Sequence, residues 1–357
     1  MINYFRLWYR YFQVEVLSIP SKVIALVFFL VLGALPLFTQ SPQVLRILIL
    51  AGIYAIYAVS WDMLAGYTGQ ISLGHALFFG VAGYAAALLN LRLDLGAWAT
   101  IPLGAICAVG AGLIVGIPAL RLRGFYLALV TLAFPIILMG IIFVFPDFTG
   151  GELGLFGISG LSRSRLTDTY IVYVVMLISV FVMYKLTDAK SKVVRSGLVF
   201  QAIREDEIAA RKSGINTVNH KLLAYSVSAF FAGTAGGLYA HFIKIVGPST
   251  LDLTFSFQSV LWVIFGGMGT IYGGVVGVYI LYPFMEILRF VPTGDDYRGV
   301  LFALILILTL IFMPEGIGVW VRDKIEVTCP RCKEINIARR KRCRICHAHL
   351  RLSDESS

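Results

Sequence analysis

Long apolar blocks fill most of this chain, and the polar residues collect in the gaps between them. Blocks at roughly 23–39, 44–61, 74–91, 97–119, 125–146 and 170–186 come before one broad polar gap. Others follow at 222–246, 257–289 and 299–313. Most are close to the ~20 residues that an α-helix needs to cross a bilayer. The pattern predicts an all-α, polytopic transmembrane bundle of eight to ten spans over 23–320. It is preceded by an interfacial segment (1–22) in which Tyr4, Phe5, Trp8, Tyr9, Tyr11 and Phe12 mix with Arg6 and Arg10. A short cysteine-bearing tail (321–357) ends the chain.

Composition agrees: 58% of residues are hydrophobic and 14% charged, against about 25% charge in a soluble domain. The 35 glycines suit close helix approach and broken helices that line internal cavities. No small-residue cleavage site is evident near the first span, so no cleavable signal peptide is expected. The net charge of +10 lies mostly in the tail and the polar gap, so the lipid bilayer, not nucleic acid, is the expected partner of the basic residues. The gap, Lys185 to Lys221, holds eight Lys/Arg against four acids. With the N-terminus inside, six crossings put this island inside, together with Arg121 and Arg123; the loop 147–169 then lies outside. The basic tail also belongs inside, so the 257–289 block must break into an even number of crossings or contain a re-entrant piece.

Two glycine-rich breaks fit that requirement. Gly66 to His75 interrupts the run from 44 to 91, and Gly266-Gly267-Met268-Gly269-Thr270 interrupts the later block. Paired interruptions in the two halves point to a central substrate path. Its candidate residues are Gly69, Gln70, Ser72, Gly74 and His75 in the first break, and Gly266, Gly267, Gly269 and Thr270 in the second. His75 either lines that path or bonds across to a neighbouring helix. Asp62, Arg46 and Glu286, near predicted span ends, read as snorkelling or structurally paired charges.

Within the island, Leu198 to Ser213 reads as one helix with Leu198, Val199, Ala202, Ile203, Ala209 and Ala210 on one arc. Asp206 falls in their midst, the other charges lie opposite, and Phe200 and Ile208 are exposed. It is either a helix lying on the bilayer or a docking helix for a partner. The run Arg204-Glu205-Asp206-Glu207-Ile208-Ala209-Ala210-Arg211-Lys212-Ser213-Gly214 resembles the cytoplasmic coupling loop of ABC importer permeases, with Ile208 in place of an Ala and the acid one step early, at Glu207. Further runs at 69–76, 120–134 and 266–273 resemble, in consistent order, the LivM type of branched-chain amino acid permeases.

That resemblance implies a transport subunit in a prokaryotic inner membrane, both termini cytoplasmic. Its partners would be a LivH-type second permease, two ABC ATPase subunits and an extracytoplasmic substrate-binding protein. Related permeases carry urea or short amides, so the substrate is the softer part of the inference. No Gly-x4-Gly-Lys-Ser/Thr phosphate loop occurs, so the chain is not expected to hydrolyse ATP by that machinery. An ATP-independent secondary transporter would usually carry ionisable relays within its spans, and these are scarce.

The tail carries Cys329-x2-Cys332, ten residues, then Cys343-x2-Cys346. Two such knuckles offer four thiolates in a tetrahedron, which suits structural Zn2+, with iron in a rubredoxin-like site as the rival. Paired disulfides are disfavoured in a cytoplasmic tail.

Overall fold

The computed structural model describes residues 20–350 apart from 40, 123, 189–194, 289–294, 333–334, 339 and 344. Most of the 1–22 segment, with Arg123, Lys190 and Lys192, thus lies outside the described residues. Fourteen described helices follow in order. They are α1 (Pro20–Phe38), α2 (Pro42–Thr68), α3 (Ala76–Leu93), α4 (Ala97–Ala119), α5 (Phe125–Val144), α6 (Pro146–Thr149) and α7 (Arg165–Thr187). Then come α8 (Ser196–Glu205), α9 (Glu207–Lys212), α10 (Thr217–Ile243), α11 (Leu253–Gly266), α12 (Ile271–Leu288), α13 (Asp295–Phe312) and α14 (Ile317–Ile325).

Among the described residues, seven helices (α2, α3, α4, α5, α7, α10 and α12) are long and apolar enough to cross a membrane. Val23–Phe38 of α1 and the whole of α11 are shorter apolar helices. The 257–289 block is indeed broken: α11 and α12 are separate helices joined by the turn Gly267–Thr270.

Apolar on every side, α2 takes the centre. Every residue from Ile49 to Gly66 is buried, with α10, α7, α12 and α11 packed around it and α3 and α4 completing the bundle against α10. Helix α5 is the most apolar of the seven and the least buried, as a lipid-facing helix must be. Ser41 caps α2 through Val44 N–H at 3.3 Å, with Pro42 opening the first turn. At the far end, Gly69 adopts φ +70° and stops the helix.

Small residues let the helices touch backbone to backbone. A Cβ on Gly266 would sit 1.8 Å from Gly273 O, and one on Gly277 would sit 2.0 Å from Trp262 O, so α11 and α12 meet along a bare seam. Helix α14 rests on the same turn, since a Cβ on Gly316 would lie 2.5 Å from Gly267 N.

Two small sheets complete the fold. β1 (Leu155–Phe156) pairs antiparallel with β2 (Ile245–Val246), tying the segment after α6 to the end of α10. β3 (Glu326–Thr328) follows α14 directly and pairs with β4 (Ile335–Ile337) to begin the ribbon of the tail.

The expected single helix 198–213 is corrected. Asp206 takes an extended conformation, ending α8 and capping α9 by accepting Ile208 N–H at 2.8 Å and Ala209 N–H at 3.0 Å. Asp side chains favour that position over a helix interior. The break rotates the predicted arc. Phe200 is buried, not exposed, whereas Leu198 and Asp206 face outward and Ile208 stays exposed as expected.

Candidate coupling junction and metal centre

The two glycine-rich breaks, 190 and more residues apart in sequence, meet at one end of the bundle. Asp62, wholly buried in α2, accepts Gly269 N–H on Oδ1 at 2.7 Å. Gly66, one helical turn later, has room for no side chain: a Cβ there would stand 2.7 Å from Gly269 N. Gly269 itself holds φ +76°, a conformation that glycine adopts without a Cβ clash. Thr270 secures the turn by donating to Gly267 O at 2.6 Å.

Arg204, the last basic residue of α8, lies across this meeting point. Its Nη1 donates to Gly66 O, its aliphatic stem passes over Gly69, and its guanidinium lies against Gly269. Asp62 is within its electrostatic reach. A single guanidinium of the charged loop therefore touches both breaks.

Packing and polar contacts fasten the described part of the loop to the bundle. Gly197 lets α8 approach the end of α7, since a Cβ would fall 2.5 Å from Thr187 O, and Ser196 Oγ donates to Leu186 O at 2.7 Å. Phe200, Ile203 and Ala210 are buried beneath. Glu207 turns inward: Oε2 pairs with Lys221 Nζ of α10 at 2.7 Å, and Oε1 takes Arg211 at 3.0 Å. Gly214, at φ +85°, ends α9 in the left-handed conformation. Glu205, Ala209, Arg211 and Gly214 are exposed, so these and Ile208 form the loop's outer surface.

The rest of the first break turns into the bundle. Gln70 is buried with neither amide atom hydrogen-bonded. Ser72 O accepts Trp61 Nε1–H at 2.7 Å. Gly74 presses on the backbone of α5, where a Cβ would lie 2.1 Å from Thr131 O. His75, fully buried, lies with Nε2 2.8 Å from Ser60 Oγ, which in turn donates to Tyr57 O at 2.7 Å. The Ser60 proton is thereby used, so Nε2 carries the hydrogen of that bond. His75 thus bonds across to a neighbouring helix. Asp62 is buried inside the bundle and hydrogen-bonded to Gly269, not snorkelling to its edge. Its signal was available in the sequence as an acid within an apolar span; the reach of Arg204 had none.

In the tail, the ligand sulfurs of Cys329, Cys332, Cys343 and Cys346 all lie within 4.8 Å of one another. Cys329–Cys346 and Cys332–Cys343 contacts are 3.5 Å, and none of the four cysteines is in a disulfide. A tetrahedron with metal–sulfur bonds of about 2.3 Å has edges of about 3.8 Å, so the cluster fits one ion. Asn336 Nδ2 and Ile345 N–H donate to Cys343 Sγ at 3.5 Å each. Burial pushes the Cys343 thiol up, but hydrogen bonds led by the Cys346 and Ile345 amides overcome it and bring the thiol down to about 6. That favours the ligating thiolate.

Helices broken inside the bundle, meeting beneath a charged loop outside it, define a multi-pass membrane transport protein. Comparison with known proteins makes this particular. The chain belongs to the family described as branched-chain amino acid transport system / permease component, whose model matches residues 43–310. The high-affinity branched-chain amino acid transport permease LivM of Escherichia coli K12 is 30% identical over 87% of this chain and 78% of its own length. LivM of Salmonella typhimurium is 29% identical over 79% and 71%, and the high-affinity branched-chain amino acid transport permease LivH of E. coli K12 is 23% identical over 75% and 92%. No solved structure matches the chain. The family match ends before the cysteine ribbon.

Proposed function

We propose that the chain is the LivM-like permease subunit of an ABC importer for branched-chain amino acids. It pairs with a LivH-like permease, is driven by two separate ATPase subunits, and receives substrate from an extracytoplasmic binding protein. Family membership and the names of the relatives support the substrate class. The observation that carries the mechanism is Arg204, which joins the charged loop to both glycine-rich breaks. Closure of the ATPases on the loop would rock α8 and α9, and Arg204 would pass that movement to the Asp62–Gly269 contact where the breaks meet. The freed backbone groups of both breaks, with Gln70, line the path at that end. The basic loop and basic tail support a reading with both termini on the cytoplasmic side of a prokaryotic cell membrane.

For the tail, Zn2+ held by the four cysteines is the proposed ion, acting as a structural staple with no part in transport chemistry. The decisive experiment is uptake of L-leucine into vesicles reconstituted with both permeases, the ATPases and the binding protein. ATP-dependent uptake is expected. Uptake that persists without the ATPases overturns the mechanism.

A further inference from the structure

We infer that the end of the bundle remote from the charged loop carries a receiving site for a zwitterionic amino acid with an apolar side chain. It is a cavity of about 440 Å3 walled by α2, α10, α11 and α12, within the roughly 300–1,000 Å3 of small-molecule pockets. Arg46, at its rim, stands about 35 Å along α2 from Gly69 at about 1.5 Å per residue, so the cavity and the Arg204 junction occupy opposite ends of one central helix.

The wall is aromatic and ordered. Tyr54 stacks on Trp262, with ring centroids 5.1 Å apart and planes 30° apart, and meets Tyr282 edge-on at 5.0 Å. Phe255 and Tyr239 close the cluster at 5.7 and 6.3 Å from Tyr54. Such a surface accepts a branched aliphatic side chain by apolar burial while its hydroxyls keep a polar edge.

Two opposite charges share that wall. Arg46 of α2 and Glu286 of α12 both line the cavity, together with Tyr54. A guanidinium suits a carboxylate, and a carboxylate suits an ammonium; aromatic faces also attract a cation. One apolar wall with a fixed charge of each sign is complementary to a molecule that has an apolar side chain and both charges on one carbon. A neighbouring cavity of about 490 Å3 shares Arg46 and adds Arg163, Arg165 and Lys244, with Asp168 as its acid. The two cavities share Arg46 and Ile243, so this basic cavity adjoins the aromatic site.

The choice of amino acid rests on the transport reading above; the charge-and-aromatic site does not, and the test separates them. The purified full-length chain in lipid nanodiscs is titrated with labelled L-leucine, competed by 3-methylbutan-1-amine (leucine without its carboxylate) and by 4-methylpentanoate (leucine without its amine). Both analogues are expected to compete at least about tenfold more weakly than leucine, about 1.4 kcal/mol. Arg46→Met should erase the advantage over the amine alone, and Glu286→Gln the advantage over the acid alone. Arg46→Lys and Glu286→Asp, which keep the charges, should retain most of the discrimination and serve if a neutral variant misfolds. Absence of binding by the wild-type chain, or ratios unchanged in the neutral variants, overturns the site. If leucine uptake by the complete transporter succeeds while discrimination fails, only the site falls; if uptake fails, the transport reading falls whatever the cavity binds.

Discussion

Replacing Lys221 by Met tests how the charged loop is held. Lys221 Nζ lies 2.7 Å from Glu207 Oε2, and the two side chains are only 9% and 15% exposed. Removing one partner of a fully buried ion pair costs about 3–5 kcal/mol because the other charge is stranded. Exposed pairs are worth about 0–1 kcal/mol. Here Glu207 keeps Arg211 at 3.0 Å and Thr217 Oγ1 at 3.4 Å on its other oxygen, so the cost lies between, at about 2 kcal/mol. Because α9 is only six residues long, that loss appears as local opening of the loop while the bundle stays folded. At about 1.4 kcal/mol per decade, amide hydrogen exchange across 207–215 should rise about 30-fold, with exchange in α2 unchanged. Adding Glu207→Gln to Lys221→Met should recover much of the loss, since no buried charge is then left unpaired. Exchange in the Lys221→Met protein within about threefold of wild type would mean that Glu207 is not held by Lys221, and the inward reading of that side chain would be wrong.

Other outcomes follow from the same geometry. Arg204→Met should leave ATP hydrolysis by the assembled transporter running while leucine uptake falls at least about tenfold; equal loss of both would point to failed assembly. Gly266→Ala places a Cβ 1.8 Å from Gly273 O and should cost about 3 kcal/mol through forced separation of α11 and α12, read as a lower melting temperature; an unchanged melting point refutes the seam. Cys332→Ser should reduce bound zinc per chain from about one to near zero and melt the ribbon while helical circular dichroism persists. Metal retention in that variant would remove Cys332 from the ligand set.

The spans were legible because a bilayer demands length and hydrophobicity, and both are written residue by residue. Their ends were less so. The block 44–61 was expected to stop before Asp62, yet α2 runs to Thr68 because Gly269 N–H meets that carboxylate inside the bundle. The cysteine cluster was legible from spacing alone, as two Cys-x2-Cys turns suit four sulfurs gathered at one site. The charged loop was located but misdrawn: a single periodic arc assumes unbroken helix through Asp206, and the capping preference of that aspartate was the overlooked cue. Contacts such as Arg204 with Gly66, or the aromatic group drawn from four helices, depend on tertiary packing that no local pattern encodes.

The glycine seam between α11 and α12 has a mechanical consequence. Where side chains interlock, sliding one helix past another means repacking rotamers through a barrier. At Gly266, Gly273 and Gly277 there are no rotamers to repack, only smooth backbone against backbone. The hairpin therefore has a bearing surface, on which small axial shifts cost little side-chain entropy. The turn that rides on it, from Gly267 to Thr270, is the one that Asp62 grips.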